Sequence, residues 1–131
     1  GVDPNAGAVA VARERGFDAW TPDELMRTDP GGFDTLLCSH VLEHMGRDDA
    51  LALLREWLPR IRPSGRVVLI CPQERGQRSD PTHVRFIDAA EMRRMAENVG
   101  IHVARAYSFP LPRPLGRWWV HNETVLIGRA R

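Results

Sequence analysis

Phe33-Asp34-Thr35-Leu36-Leu37-Cys38-Ser39-His40-Val41-Leu42-Glu43-His44 is the stretch on which the fold turns. Its first seven residues carry apolar side chains toward both faces of an extended chain, as a strand covered on both sides of a parallel sheet should. Downstream, Asp48 is placed to cap a helix whose Leu51, Leu54, Leu58 and Ile61 recur on one face at helical spacing. Pro59 predicts a kink or early stop there, because a proline inside a helix costs about 3 kcal/mol. Pro63-Ser64-Gly65 then predicts a turn into a strand from Arg66 to Cys71, and residues 72–87 read as a polar loop. Asp88 and Glu91 make a capping box for a helix through Met92, Met95 and Ala96 that stops at Gly100. Two strands follow, Ile101 to Tyr107 and Trp118 to Ile127, joined by the proline-rich Pro110 to Pro114.

Upstream, Gly1-Val2-Asp3 reads as the end of a strand, and Ala6 to Arg15 as a helix ended by Gly16. Phe17 to Trp20 is a short strand candidate. Thr21-Pro22-Asp23-Glu24 is a second capping box with proline in the first helical position, and Thr28 to Gly32 has strong turn chemistry. Strands therefore alternate with helices until the last two strands follow one another directly. That order predicts an α/β, doubly wound, mostly parallel sheet with helices on both faces and the last strand antiparallel, near an edge.

The chain has 131 residues, enough for one domain with its own core, and a single domain over 1–131 is expected. With 43% hydrophobic and 27% charged residues and a net charge of +1, nothing in the balance calls for nucleic acid or a membrane surface. All 18 basic residues are arginine, so no mechanism based on a Schiff-base or general-base lysine is open. No apolar run approaches the roughly 20 residues of a membrane-spanning helix. The opening residues do not resemble a secretory leader, and Cys38 and Cys71 sit in apolar runs where a thiol acts as a small hydrophobe. A cytoplasmic setting is the expectation.

An acid at the carboxyl end of an early strand suits a ribose, since one carboxylate accepts from two hydroxyls at once. Asp3 stands in that place, although Asp before Pro also starts turns. Taken with it, in order and spacing, the Phe33 to His44 stretch, the segment from Leu54 through Pro63-Ser64-Gly65 to Leu69, and Asp80-Pro81-Thr82-His83-Val84-Arg85-Phe86 resemble successive signatures of class I S-adenosylmethionine-dependent methyltransferases. The resemblance covers essentially the whole chain, and Val41-Leu42-Glu43-His44 is its most specific element.

The resemblance implies S-adenosyl-L-methionine as cofactor and transfer of its methyl group to an oxygen, nitrogen or carbon nucleophile. Asp3 matches the ribose-binding acid, Pro4 and Asn5 the turn beside the adenosine, and the segment around Thr21 to Asp23 the adenine edge. Ser39 and His40 match the strand end along the methionine moiety. Glu43 and His44 match the wall facing the acceptor, and His83 the loop that closes over it. A sulfonium methyl is already activated, so alignment is the main requirement and no covalent residue is needed. A base is required only where the acceptor must lose a proton, and His40, His44 and His83 are the candidates, His44 and His83 foremost. The same histidines could equally cap a turn or bond backbone. The resemblance also implies a departure: the family's first strand and its Gly-rich turn have no counterpart here, so an N-terminally truncated domain is expected, poor at binding the cofactor alone. A small-molecule acceptor is the expected partner, and a homodimer is compatible with the sequence.

Three rivals remain. His40-Val41-Leu42-Glu43-His44 fits the H-x-x-E-H pattern of inverted zinc peptidases, but that chemistry needs both histidines on one helix face and a third ligand. No metal site is expected on those grounds. A nicotinamide-dependent oxidoreductase could use Asp3 the same way, without the tyrosine-lysine pair that this composition forbids. A non-catalytic relative that keeps the fold as an interaction module is the alternative function. Arg75, Arg78, Arg85, Arg113 and Arg117 suit either an acidic acceptor or solvated loops, and Trp118 and Trp119 should face opposite sides of a strand.

Overall fold

The computed structural model describes residues 1–28 and 32–131, and the chain divides into two compact units, Gly1–Gly31 and Gly32–Arg131. The turn expected from Thr28 to Gly32 falls on residues 29–31, outside the described residues.

In the first unit, helix α1 (Ala6–Glu14) begins where it does because Asn5 accepts from the N–H groups of Gly7 and Ala8, at 2.9 and 3.3 Å. It ends at Gly16, whose φ of 84° a residue with a Cβ would resist. The expected strands at Gly1 to Asp3 and Phe17 to Trp20 shrink to a single parallel bridge, Val2 to Trp20. Two hydrogen bonds hold it: Asp3 N–H to Trp20 O and Trp20 N–H to Gly1 O. Helix α2 (Pro22–Thr28) starts on the capping box as expected, with Glu24 N–H donating to Thr21 Oγ1 and Thr21 N–H to Glu24 Oε2. Arg13 joins the two helices by donating to Ala19 O and to Glu24.

The second unit is built on a four-stranded sheet of β1 (Phe33–Ser39), β2 (Ile61–Pro72), β3 (His102–Phe109) and β4 (Glu123–Arg129) in the order β1-β2-β4-β3. β1 and β2 are parallel, while β4 runs antiparallel to both β2 and β3. The mixed, Rossmann-like α/β sheet with an antiparallel last strand is therefore as expected. That strand lies near an edge, second from it, with β3 in the outer place.

One face of this sheet carries Cys38, Val67, Leu69, Cys71 and Leu126. They pack with Ala50, Leu51 and Leu54 of α3 (Arg47–Trp57) and Met92, Met95 and Ala96 of α5 (Ala89–Asn98). Burial alternates along β2, with Val67, Leu69 and Cys71 each fully buried, as the period of two requires. β1 is not covered on both sides as its composition suggested: Leu37, pointing the other way, is 61% exposed.

Several boundaries differ from the sequence reading. Gly46, not Asp48, precedes α3, with no side-chain cap, and Asp48 and Asp49 lie in the first turn, where their charge favours the helix dipole. α3 stops at Trp57 and tightens into a 3-10 turn, Leu58–Arg60, that accommodates Pro59. Pro63-Ser64-Gly65 is absorbed into β2 as an irregularity, the register passing from Phe33 opposite Ile61 to Thr35 opposite Arg66. The loop of 72–87 contains a short helix, α4 (Glu74–Ser79). Asp88 does cap α5, accepting from Glu91 N–H at 2.8 Å. β4 starts at Glu123, so Trp118 and Trp119 belong to turns after α6 (Arg113–Gly116), and both are exposed. Asn122 explains that shift: fully buried, it donates to Ser108 Oγ at 2.7 Å and accepts from Leu111 N–H at 2.8 Å. Gly116 lies so close that a Cβ there would meet Asn122 Nδ2 at 1.8 Å.

Candidate functional site

β1 ends at Ser39, and His40 extends the ladder by one bond, its N–H donating to Ile70 O at 3.0 Å. His40 then takes a φ of 54°, a left-handed conformation uncommon for a residue with a Cβ. The turn throws the chain off the sheet into a 3-10 turn, Leu42–His44, anchored by the fully buried Leu42. Titratable groups thus collect at the carboxyl ends of β1 and β2, the edge where open α/β sheets bind ligands.

His40 links two carboxylates, with Nδ1 3.2 Å from Glu43 Oε1 and Nε2 2.7 Å from Glu123 Oε1. Glu123 reaches the corner because β4 enters the sheet antiparallel beside the end of β2, opposite Pro72. The sequence reading missed it by placing it inside a longer strand. Glu43 itself is fully buried, and its Oε2 has no hydrogen-bond partner among the described residues. Leaving a carboxylate oxygen buried and unsatisfied is costly, so the position calls for an explanation. Of the nearby thiols, Cys71 hydrogen-bonds the Glu43 carboxylate but leaves Oε2 unsatisfied. Burial first, then the charge of Glu43, pushes Cys38 up to about 12 and Cys71 above the ordinary thiol range. A protonated thiol is only a weak donor.

The loop after α4 is strapped over this turn, for Val84 and Arg85 both donate their N–H to Glu43 O, at 2.9 and 3.2 Å. That brings His83 to His44, ring centroids 4.7 Å apart and inclined at 62°. His44 Nδ1 lies 3.0 Å from Thr82 Oγ1 and 3.3 Å from Thr82 O, and His83 Nδ1 lies 3.2 Å from Gln77 O. Thr82 in turn donates its hydroxyl and its N–H to Asp80 Oδ1, at 2.6 and 2.8 Å, which holds the Asp80 carboxyl below its usual range. Asp80-Pro81-Thr82 is an Asx-turn signature that sequence alone could have flagged as structural.

Of the residues singled out by sequence, the second unit therefore gathers Ser39, His40, Glu43, His44 and His83 at one corner. Asp3, Pro4, Asn5 and Asp23 belong to the first unit, all exposed. Asp3 accepts from Asn5 N–H through Oδ1 at 2.7 Å, leaving Oδ2 without a hydrogen bond among the described residues. Asn5 is occupied as the cap of α1. Asp23 lies in the first turn of α2. Two of the loop arginines have structural partners, Arg85 on Glu91 and Arg113 on Glu74.

No protein-family model matches the chain, and no curated protein matches it in sequence. Solved structures do match. A SAM-dependent methyltransferase from Archaeoglobus fulgidus aligns over 98% of this chain and 74% of its own, with a TM-score of 0.75 at 18% identity. Magnesium protoporphyrin IX methyltransferase from Synechocystis, with bound SAH, aligns over 100% of this chain and 63% of its own, at a TM-score of 0.70 and 17% identity. The [4+2]-cyclase SpnF aligns over 98% and 64%, at 0.70 and 18%. At these identities the likeness is one of fold, and the fold is that of the class I methyltransferases.

Proposed function

We propose that this chain belongs to an S-adenosylmethionine-dependent methyltransferase acting on a small-molecule acceptor. The observation that supports this best is the match of nearly the whole chain to the methyltransferase fold, with its titratable corner at the carboxyl edge of the sheet. Asp3 is the ribose acid in this reading, with Oδ2 available for a hydroxyl, and Pro4, Asn5 and Asp23 belong to the adenosine side. Ser39 and His40 lie along the methionine moiety. In the reaction the acceptor's lone pair forms a bond to the methyl carbon as the carbon–sulfur bond breaks. S-adenosylhomocysteine leaves with that electron pair, and a protic acceptor gives up its proton to His44, His83 or water.

A second reading is a non-catalytic methyltransferase-like interaction domain, since the fold alone does not fix an activity: SpnF, which it also matches in fold, is a [4+2]-cyclase. Calorimetric titration of the protein with S-adenosylmethionine tests the first reading. Binding should weaken roughly tenfold or more in Asp3→Ala, the loss expected for two charge-assisted hydrogen bonds. Binding that is indifferent to Asp3 would overturn the assignment of that acid. Release of S-adenosylhomocysteine with an acceptor panel separates the enzyme from the module.

A further inference from the structure

We infer that Glu43, His44 and His83 form a site for one divalent transition-metal ion of the zinc type. The inference goes beyond methyl transfer and does not depend on it. A ring nitrogen from each histidine and a carboxylate oxygen of Glu43 all lie within 4.8 Å of one another, the one such set among the described residues. Ligands of a tetrahedral zinc stand about 3.4 Å apart, so side-chain rotations that close the set by a little over about 1 Å complete the geometry.

Three further observations point to an ion. First, Glu43 Oε2 is fully buried without a hydrogen-bond partner among the described residues, and a cation would satisfy it. Second, the tautomers are set. Gln77 O only accepts, so His83 Nδ1 must carry the proton. The Thr82 hydroxyl spends its proton on Asp80, so both Thr82 oxygens only accept from His44 Nδ1. Each neutral ring is left with its lone pair on Nε2. Metal-binding histidines are held in this way, the far nitrogen donating to a carbonyl or carboxylate. Third, Asp80 Oδ2 lies 3.9 Å from His83 Nε2, close enough to add negative charge or a further ligand.

The site differs from the H-x-x-E-H pattern in His40 to His44. His40 is excluded as a ligand because both of its nitrogens are engaged, by Glu43 and Glu123. Its place is taken by His83, which the strap to Glu43 O brings from the next loop. Two imidazoles and a carboxylate suit zinc, manganese or ferrous iron and leave at least one coordination position for an exogenous oxygen. An oxygen bound there would be acidified by the ion, which with His44 and His83 engaged as ligands replaces them as the means of removing its proton.

The test is titration of the chelator-stripped protein with Co2+, followed by its visible absorption, without S-adenosylmethionine. One ion per chain should bind with a Kd on the order of micromolar and be displaced by Zn2+. His83→Ala and Glu43→Gln should each weaken binding by roughly 100-fold, and Thr82→Ala by about tenfold or more through loss of the orienting bond. His102→Ala, on the far edge of the sheet, should bind as the parent does. Absence of a stoichiometric ion in the parent protein overturns the site, whether or not the variants fold. Equal affinity in parent and His83→Ala overturns it as well. The cofactor titration is a separate measurement, so either reading can fail alone.

Discussion

Gly1–Gly31 and Gly32–Arg131 are stabilised in different ways. The described part of the first buries Val9, Ala19 and Leu25 and is held by helix caps, one bridge and the reach of Arg13 across two helices. Apart from the bridge between Val2 and Trp20, these join residues close in sequence. The second buries a continuous cluster from Cys38 to Ala130, in which strands far apart in the chain face α3 and α5. The histidine corner thus rests on a core, while the candidate ribose acid rests on a segment held mainly by local hydrogen bonds. A site on the first kind of support is held precisely; one on the second is ordered chiefly by what it binds.

The largest effect that bears on this contrast should come from Leu69→Ala. Leu69 is fully buried in β2, opposite Leu126 and facing the helices. Its truncation should cost about 3 kcal/mol in denaturant unfolding, from lost transfer energy and the cavity left behind. Val9→Ala in the first unit should cost about 1 kcal/mol, because fewer carbons are lost and the helix gains a better former. Equal costs would break the contrast.

Asn122→Ala should come next, at about 2 kcal/mol by the same measurement. It removes an acceptor from Leu111 N–H and a donor to Ser108 Oγ while both partners stay partly buried. Ser108 also accepts from Gln73 Nε2, so the loss should spread to the end of β2. A cost near zero would mean that apolar packing alone holds β3, β4 and α6 together.

These residues also mark what the sequence could and could not tell. Capping boxes at Thr21 and Asp88, helix ends at Gly16 and Gly100 and the stop at Pro59 were legible because each depends on neighbours within a turn. The mostly parallel sheet and the antiparallel β4 followed from the alternation of elements, but the order β1-β2-β4-β3 did not. The start of β4 was not legible, since it depends on Asn122 meeting Ser108 and Leu111 across space. Nor was the irregularity at Pro63 to Gly65, where local turn chemistry yields to the β1–β2 ladder. His40, Glu43, His44 and His83 were found through the family resemblance. Glu123 and the pairing of His83 with His44 required the fold, because an antiparallel strand and a loop strap bring them in.

The smallest effect concerns two glutamates that both sit below their usual pKa. Burial alone would raise Glu91, but hydrogen bonds from Arg94 and Arg47 outweigh it and hold the carboxyl low, and Arg85 adds a third partner. Glu24, half-buried, is lowered by the Thr21 N–H and by Arg13. A carboxyl that is more acidic when folded contributes stability above its unfolded pKa, near about 4.3, and loses it as pH falls through the folded value. Glu91→Gln should therefore destabilise by about 1 kcal/mol at pH 7, with the gap from the parent closing below about pH 4. Glu24→Gln should show the same sign with a smaller shift, since solvent screens the pair with Arg13. Unfolding curves of the three proteins from pH 7 to pH 3 check both. A Glu91→Gln penalty that persists unchanged at pH 3 would mean that shape, not charge, joins α3, α5 and the strap over the histidine corner.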